Sequence, residues 1–171
     1  MHIHAIVLIC YVLAVAAIDF RTHRIPNALT LIGLIASLSL ALGHDGSSAL
    51  LESVGGLGVG LALFLPFYAV RAFGAGDVKA MAVVGSFLGW KGAALASAAT
   101  LIAGGLIGMV VLVASTRSAQ VALHRMVGTL AAPLAVARAS ENGTPVQRFP
   151  YGVAIAVGTI ASLLIVDPIA G

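Results

Sequence analysis

Apolar residues run almost without interruption through 3–18, 28–43, 53–70, 78–90, 93–114 and 151–166, with polar residues gathered between the runs. Within a run such as Leu31-Ile32-Gly33-Leu34-Ile35-Ala36, every face of the segment is apolar. That excludes the in–out alternation of a β-barrel and matches helices surrounded by hydrocarbon. Most runs approach the ~20 residues that a helix needs to cross a bilayer. The pattern predicts an all-α polytopic membrane protein of about six transmembrane helices. The remaining long segment, 115–149, carries Leu123, Met126, Val127, Leu130 and Leu134 on one stripe, with Ser118, Arg125 and Thr129 opposite. It predicts an amphipathic helix lying on the cytoplasmic interface, followed by the turn-rich Glu141-Asn142-Gly143-Thr144-Pro145. One domain, 1–171, contains all of this.

Composition agrees with the pattern. Of 171 residues, 60% are hydrophobic and 9% charged, proportions that a soluble domain with a single core does not have. Charge then orients the bundle. If the first turn is cytoplasmic, alternation puts Arg21, Arg24, Arg71, Lys79, Arg117, Arg125, Arg138 and Arg148 on that side, and of the 9 basic residues only Lys91 falls outside. Both termini then face the periplasm or exterior, with the loop that carries His44, Asp45 and Glu52. The net charge of +3 follows from this arrangement and gives no reason to expect nucleic acid as a partner. Arg21 and Arg24 follow the first run instead of preceding it, an order that argues against a cleaved signal peptide.

Small residues punctuate the runs. Gly56 with Gly60, and Gly104 with Gly108, have the small-xxx-small spacing that lets helix backbones approach closely. Pro66 removes a backbone hydrogen bond and predicts a kink in the third span. Cys10 is the single cysteine, so neither a disulfide framework nor a cysteine zinc cluster is available in this sequence. His2, His4, His23, His44 and His124 lack ligand spacing. No metal and no cofactor are expected.

Two carboxylates stand out. Asp19 closes the first apolar run, and Asp77 follows Gly74-Ala75-Gly76 just before the fourth. Ionisable groups at membrane depth are functional by default. Each has a blander reading: an N-cap at the fourth helix for Asp77, and a local ion pair with Arg21 or Arg24 for Asp19. Alternation nevertheless brings both to the same cytoplasmic face. Two adjacent carboxylates titrate apart, so that one removes a proton from water while the other donates to a carbonyl oxygen, as peptide hydrolysis requires. Two other classes stay open: a small channel or transporter component using boundary aspartates, and a scaffold subunit of a secretion machine.

Asp19-Phe20-Arg21-Thr22-His23-Arg24-Ile25-Pro26-Asn27 and Gly74-Ala75-Gly76-Asp77-Val78-Lys79 resemble the two signature segments of the prepilin peptidases, the GxGD-type membrane aspartic proteases of type IV pilus and related systems. Pro150-Tyr151-Gly152 resembles the short motif that opens the last helix of that family. The resemblance implies that Asp19 and Asp77 are the catalytic pair, cutting the basic leader of a prepilin at the cytoplasmic face before its hydrophobic helix. It also implies that Gly74 and Gly76 shape the loop that presents Asp77. Ile25, Pro26 and Asn27 are expected to set the turn into the second span, with Asn27 as an N-cap. Lys79 and Arg71 are expected to anchor the membrane boundary, with substrate contact as an alternative. The larger members carry a cytoplasmic four-cysteine element and also methylate the new pilin N-terminus. Here the first span leads straight to Asp19, so the chain resembles the short Tad-type members that process Flp-type pilins, without methylation. The resemblance places it in the inner membrane.

Overall fold

The structure is a computed structural model that describes residues 2–70, 72–114 and 151–166. The expected interfacial segment 115–149 lies outside the described residues. Those residues form five helices: α1 (His2–Thr22), α2 (Asn27–Asp45), α3 (Ser47–Ala69), α4 (Ala75–Ala114) and α5 (Tyr151–Val166). Ile3–Thr22, Ser47–Ala69 and Ala75–Val110 are long and apolar enough to cross a membrane, while Asn27–Gly43 and Tyr151–Ile165 are shorter apolar helices. The chain falls into two units, Met1–Gly104 with Pro150–Gly171, and Gly105–Phe149. In the second, the described part is the end of α4.

The fourth and fifth expected spans are one helix, α4, broken at Gly89. The φ of 69° and ψ of 178° there belong to a region that only glycine enters without strain. The break is a reversal. A straight helix would separate Asp77 from Gly104 by about 40 Å at 1.5 Å per residue. Instead Gly104 abuts the Tyr151 ring, and that ring lies 4.2 Å from the ring of Phe73, four residues before Asp77. The first arm of α4 therefore runs away from the Asp77 end and the second arm returns to it.

Glycines set how closely the rods approach. A Cβ on Gly56 would collide with the Gly85 carbonyl oxygen, and one on Gly60 would lie 2.5 Å from that of Met81, so α3 and the first arm of α4 pack backbone to backbone and antiparallel. The expectation for Gly56 and Gly60 holds. Gly104 instead makes room for the Tyr151 ring, and a Cβ on Gly108 would meet no atom among the described residues. α2 runs parallel to the first arm on another side, where the Ser37 and Ser86 hydroxyls hydrogen-bond at 2.6 Å within the core. Flanked in this way, Val78 and the run from Ala80 to Val84 are buried, although the arm is short. α5 lies antiparallel to the second arm and packs against α1, with Gly158 fitted to the backbone of Thr100. The outward faces carry large apolar side chains such as Ile3, Ile32, Leu51 and Ile102, as helices bathed in lipid require. α3 continues through Pro66 and ends within the following turn.

Candidate functional site

Asp19 lies inside α1, immediately after the apolar run and about one turn before the helix ends. The helix continues because its backbone bonds persist to His23, whose N–H donates to the Asp19 carbonyl at 2.8 Å. His23 then enters the left-handed region at φ 50°, where α1 stops. Thr22 Oγ1 lies 2.9 Å from the carbonyl oxygens of both Ile18 and Arg24, so its one proton fastens the turn to the helix end. The Asp19 side chain is only 5% exposed. Arg21 and Arg24 are exposed, and among the described residues neither pairs with it. Its partner is the backbone N–H of Gly152, which donates to Oδ2 at 2.7 Å. At the end of its own helix a carboxylate meets the negative end of the dipole. Here it also sits on the N-terminus of α5, where free N–H groups and the positive end favour an anion.

Asp77 uses the same device on its own helix. Its amide and that of Val78 bond back to the Gly74 carbonyl, at 3.1 and 3.4 Å, which makes Gly74 the capping position and Asp77 the third helical residue. The carboxylate reaches back to accept the Gly74 N–H through Oδ2 at 2.9 Å, the returning half of a capping box. Asp77 is therefore not the N-cap of α4. The surrounding glycines have separate tasks. A Cβ on Gly74 would lie 3.2 Å from Asp77 Oδ2, and one on Gly76 would lie 3.0 Å from the Cβ of Ile25, in the turn after α1. The second contact seats the α4 entrance on the turn that follows Asp19.

Both carboxylates are thus presented at one end of the bundle, each held by an amide at a helix N-terminus. Each is anchored through Oδ2, and the other oxygen of each accepts no hydrogen bond among the described residues. Among the described residues no three His, Cys, Asp or Glu side chains converge as metal ligands. Two carboxylates each anchored through one oxygen suit proton transfer to and from a third molecule between them.

The remaining expected residues divide. Gly152 contacts Asp19 directly: a Cβ there would lie 2.8 Å from the Asp19 Cβ and 3.0 Å from its Oδ2. Asn27 is not an N-cap, because Pro26 occupies that position with no side-chain cap, and Pro26 instead accepts the Leu29 amide at 3.1 Å. The Asn27 side chain is used elsewhere, accepting a 2.9 Å bond from Lys79 Nζ. Lys79 consequently ties the start of α2 to the first turns of α4, a more specific task than anchoring at the boundary. Arg71 and Pro150 lie outside the described residues.

Sequence reasoning assigned no role to the aromatic rings beside the glycines. Phe73 stacks on Phe64 at 5.3 Å, touches Phe67 at 5.1 Å and meets Tyr151 at 4.2 Å, while the Tyr151 hydroxyl donates to the Thr100 carbonyl at 3.3 Å. The available signal was positional: Phe73 immediately precedes Gly74, and Tyr151 immediately precedes Gly152.

Comparison with known proteins meets this geometry from another direction. Residues 6–112, which include both aspartates, match the type IV leader peptidase family. A prepilin leader peptidase/N-methyltransferase of Escherichia coli strain K12 is 34% identical over a stretch covering 48% of this chain and 39% of that protein. The match therefore spans well under half of the relative's length. No solved structure matches the chain.

Proposed function

The chain belongs to the type IV leader peptidase family, and from that premise we propose that it is a membrane aspartic endopeptidase that removes the leader from Flp-type prepilins. The observation that carries this reading is that Asp19 and Asp77 lie at one end of the bundle, each held at a helix N-terminus through Oδ2, with the other oxygen accepting no hydrogen bond among the described residues. Peptide hydrolysis by such a pair needs one carboxylate ionised and the other protonated. The ionised member removes a proton from a water molecule, and the resulting hydroxyl attacks the scissile carbonyl carbon. The protonated member delivers its proton to the carbonyl oxygen. Collapse of the tetrahedral species breaks the C–N bond: the departing amine takes the proton that water gave up, and one hydroxyl proton of the tetrahedral species returns to the carboxylate that had donated it, leaving the new carboxylic acid. The Gly152 and Gly74 amides hold the two carboxylates during these transfers.

The substrate follows from where the pair sits. A prepilin presents a short basic leader followed by a hydrophobic helix, and a site at one end of an apolar bundle meets such a chain where it enters the membrane. Positive-inside asymmetry places that end at the cytoplasmic face of the inner membrane, with the rods crossing as about six spans and both termini outside. Partners are the prepilin and the lipid bilayer. Resemblance to the Tad-type members favours Flp-type pilins as the substrate.

The test is direct. Purified protein in detergent, incubated with a purified Flp-type prepilin, is expected to give a leader-sized mass loss ending at the leader boundary. An unchanged prepilin under conditions where a known leader peptidase processes it would defeat the reading.

A further inference from the structure

Each proposed catalytic carboxylate is held by the amide that immediately follows an aromatic residue. Asp77 accepts the N–H of the Phe73–Gly74 peptide, and Asp19 accepts that of the Tyr151–Gly152 peptide. A peptide unit is planar and stiff, so each donor is fixed to the backbone from which its aromatic ring projects. The two rings meet, with centroids 4.2 Å apart and planes inclined at 38°. An unbroken chain of contacts thus joins the carboxylates: Asp77, Gly74 amide, Phe73 ring, Tyr151 ring, Gly152 amide, Asp19.

The contact is backed on both sides. Phe64 is fully buried, stacks on Phe73 at 5.3 Å and meets Tyr151 edge-on at 6.5 Å, while Phe67 lies 5.1 Å from Phe73. On its other side the Tyr151 ring rests on Gly104, where even a Cβ would collide with it, and its hydroxyl is engaged by the Thr100 carbonyl. The hydroxyl is thereby directed into the bundle, away from proton chemistry. What Tyr151 contributes is its ring.

We propose that Phe73 and Tyr151 are positioning residues, a ring-to-ring strut that sets the spacing of Asp19 and Asp77. The strut rests on the proposed catalytic role of the aspartates. Losing a ring lets the two donor peptides drift, and the pair then fails chiefly in the chemical step.

The full chain is assayed on purified Flp-type prepilin with Phe73→Leu, Tyr151→Leu and Tyr151→Phe, and with Val84→Ala as a buried packing control away from the rings. Both Leu variants keep apolar volume and are expected to lower kcat by about 10-fold or more with KM within about twofold, because small misplacements at a reacting centre are costly. Tyr151→Phe keeps the ring and is expected to retain most of the wild-type kcat, as is Val84→Ala below its melting temperature. The two limbs of the kcat–pH profile are expected to draw together in the Leu variants as the carboxylates couple less strongly. A second readout needs no activity: in a Cys10→Ser background, spin labels at Phe20→Cys and Ala75→Cys report the spacing of the two segments, and Phe73→Leu is expected to broaden that distance distribution. Wild-type kcat in both Leu variants, or an unchanged label distance, would overturn the strut. A wild-type chain that leaves prepilin uncut would sink the peptidase reading, and the label distance would still decide the strut.

Discussion

Asp19 shows what a sequence reveals about a single residue and what it conceals. A carboxylate that directly follows an apolar run, in the last turn of its helix, is conspicuous because the dipole of that helix disfavours it. The group that compensates it is a backbone amide 133 positions away, and no local pattern predicts such a partner. Asp77 was legible for the opposite reason, since its anchor lies three residues back in the same motif. Asn27 misled because asparagine is a common N-cap, yet its side chain is drawn to Lys79 and Pro26 takes the capping position. The Asp19 arrangement makes Gly152 critical. A methyl at Gly152 would press on the Asp19 Cβ at 2.8 Å, so Gly152→Ala is expected to displace the carboxylate and cut the cleavage rate by roughly 10²-fold while the protein still inserts. Gly58→Ala, where a Cβ would meet open space, is expected to match the wild type. Initial rates on purified prepilin check both, and a wild-type rate for Gly152→Ala would mean that the Gly152–Asp19 contact has no catalytic weight.

The helices themselves were largely legible, because runs apolar on all faces leave little choice but helix in hydrocarbon. Their joints were less so. Apolar runs mark where lipid contact ends, not where backbone hydrogen bonding ends, so α1 overshoots its run far enough to contain Asp19. The boundary between the fourth and fifth runs is a reversal within α4, and it falls on Gly89 because no side chain tolerates that φ and ψ. Gly89→Ala is expected to cost about 1–3 kcal/mol from backbone strain. Gly56→Ala is expected to cost more than an ordinary overpacking change of about 1–3 kcal/mol, because its methyl would strike the Gly85 carbonyl oxygen instead of a movable side chain. Denaturation of the detergent-solubilised variants measures both. An undiminished Gly89→Ala would show that the reversal can be made with another residue.

At the scale of the described bundle, the C-termini of α1 and α3 and the N-termini of α2, α4 and α5 gather at the end that carries the two aspartates, and composition alone could announce only the membrane setting. Orientation is a separate property, carried by the basic residues. In a Cys10→Ser background, Ser47→Cys is expected to react with an impermeant external reagent in intact cells and Ser140→Cys to be protected; the reverse pattern would move the site to the outer face. Product formed in the presence of S-adenosylmethionine is expected to carry no methyl increment by mass spectrometry, and an increment that depends on the donor would add a second activity to the chain. The central claim is that Asp19 and Asp77 act as one unit. Asparagine keeps the size of each side chain but cannot exchange a carboxylate proton, so Asp19→Asn and Asp77→Asn are each expected to abolish prepilin cleavage with insertion intact. The double variant should be no worse than either single one, and Asp45→Asn should cleave normally. Substantial cleavage of purified prepilin by a well-expressed, purified Asp77→Asn protein would contradict the account.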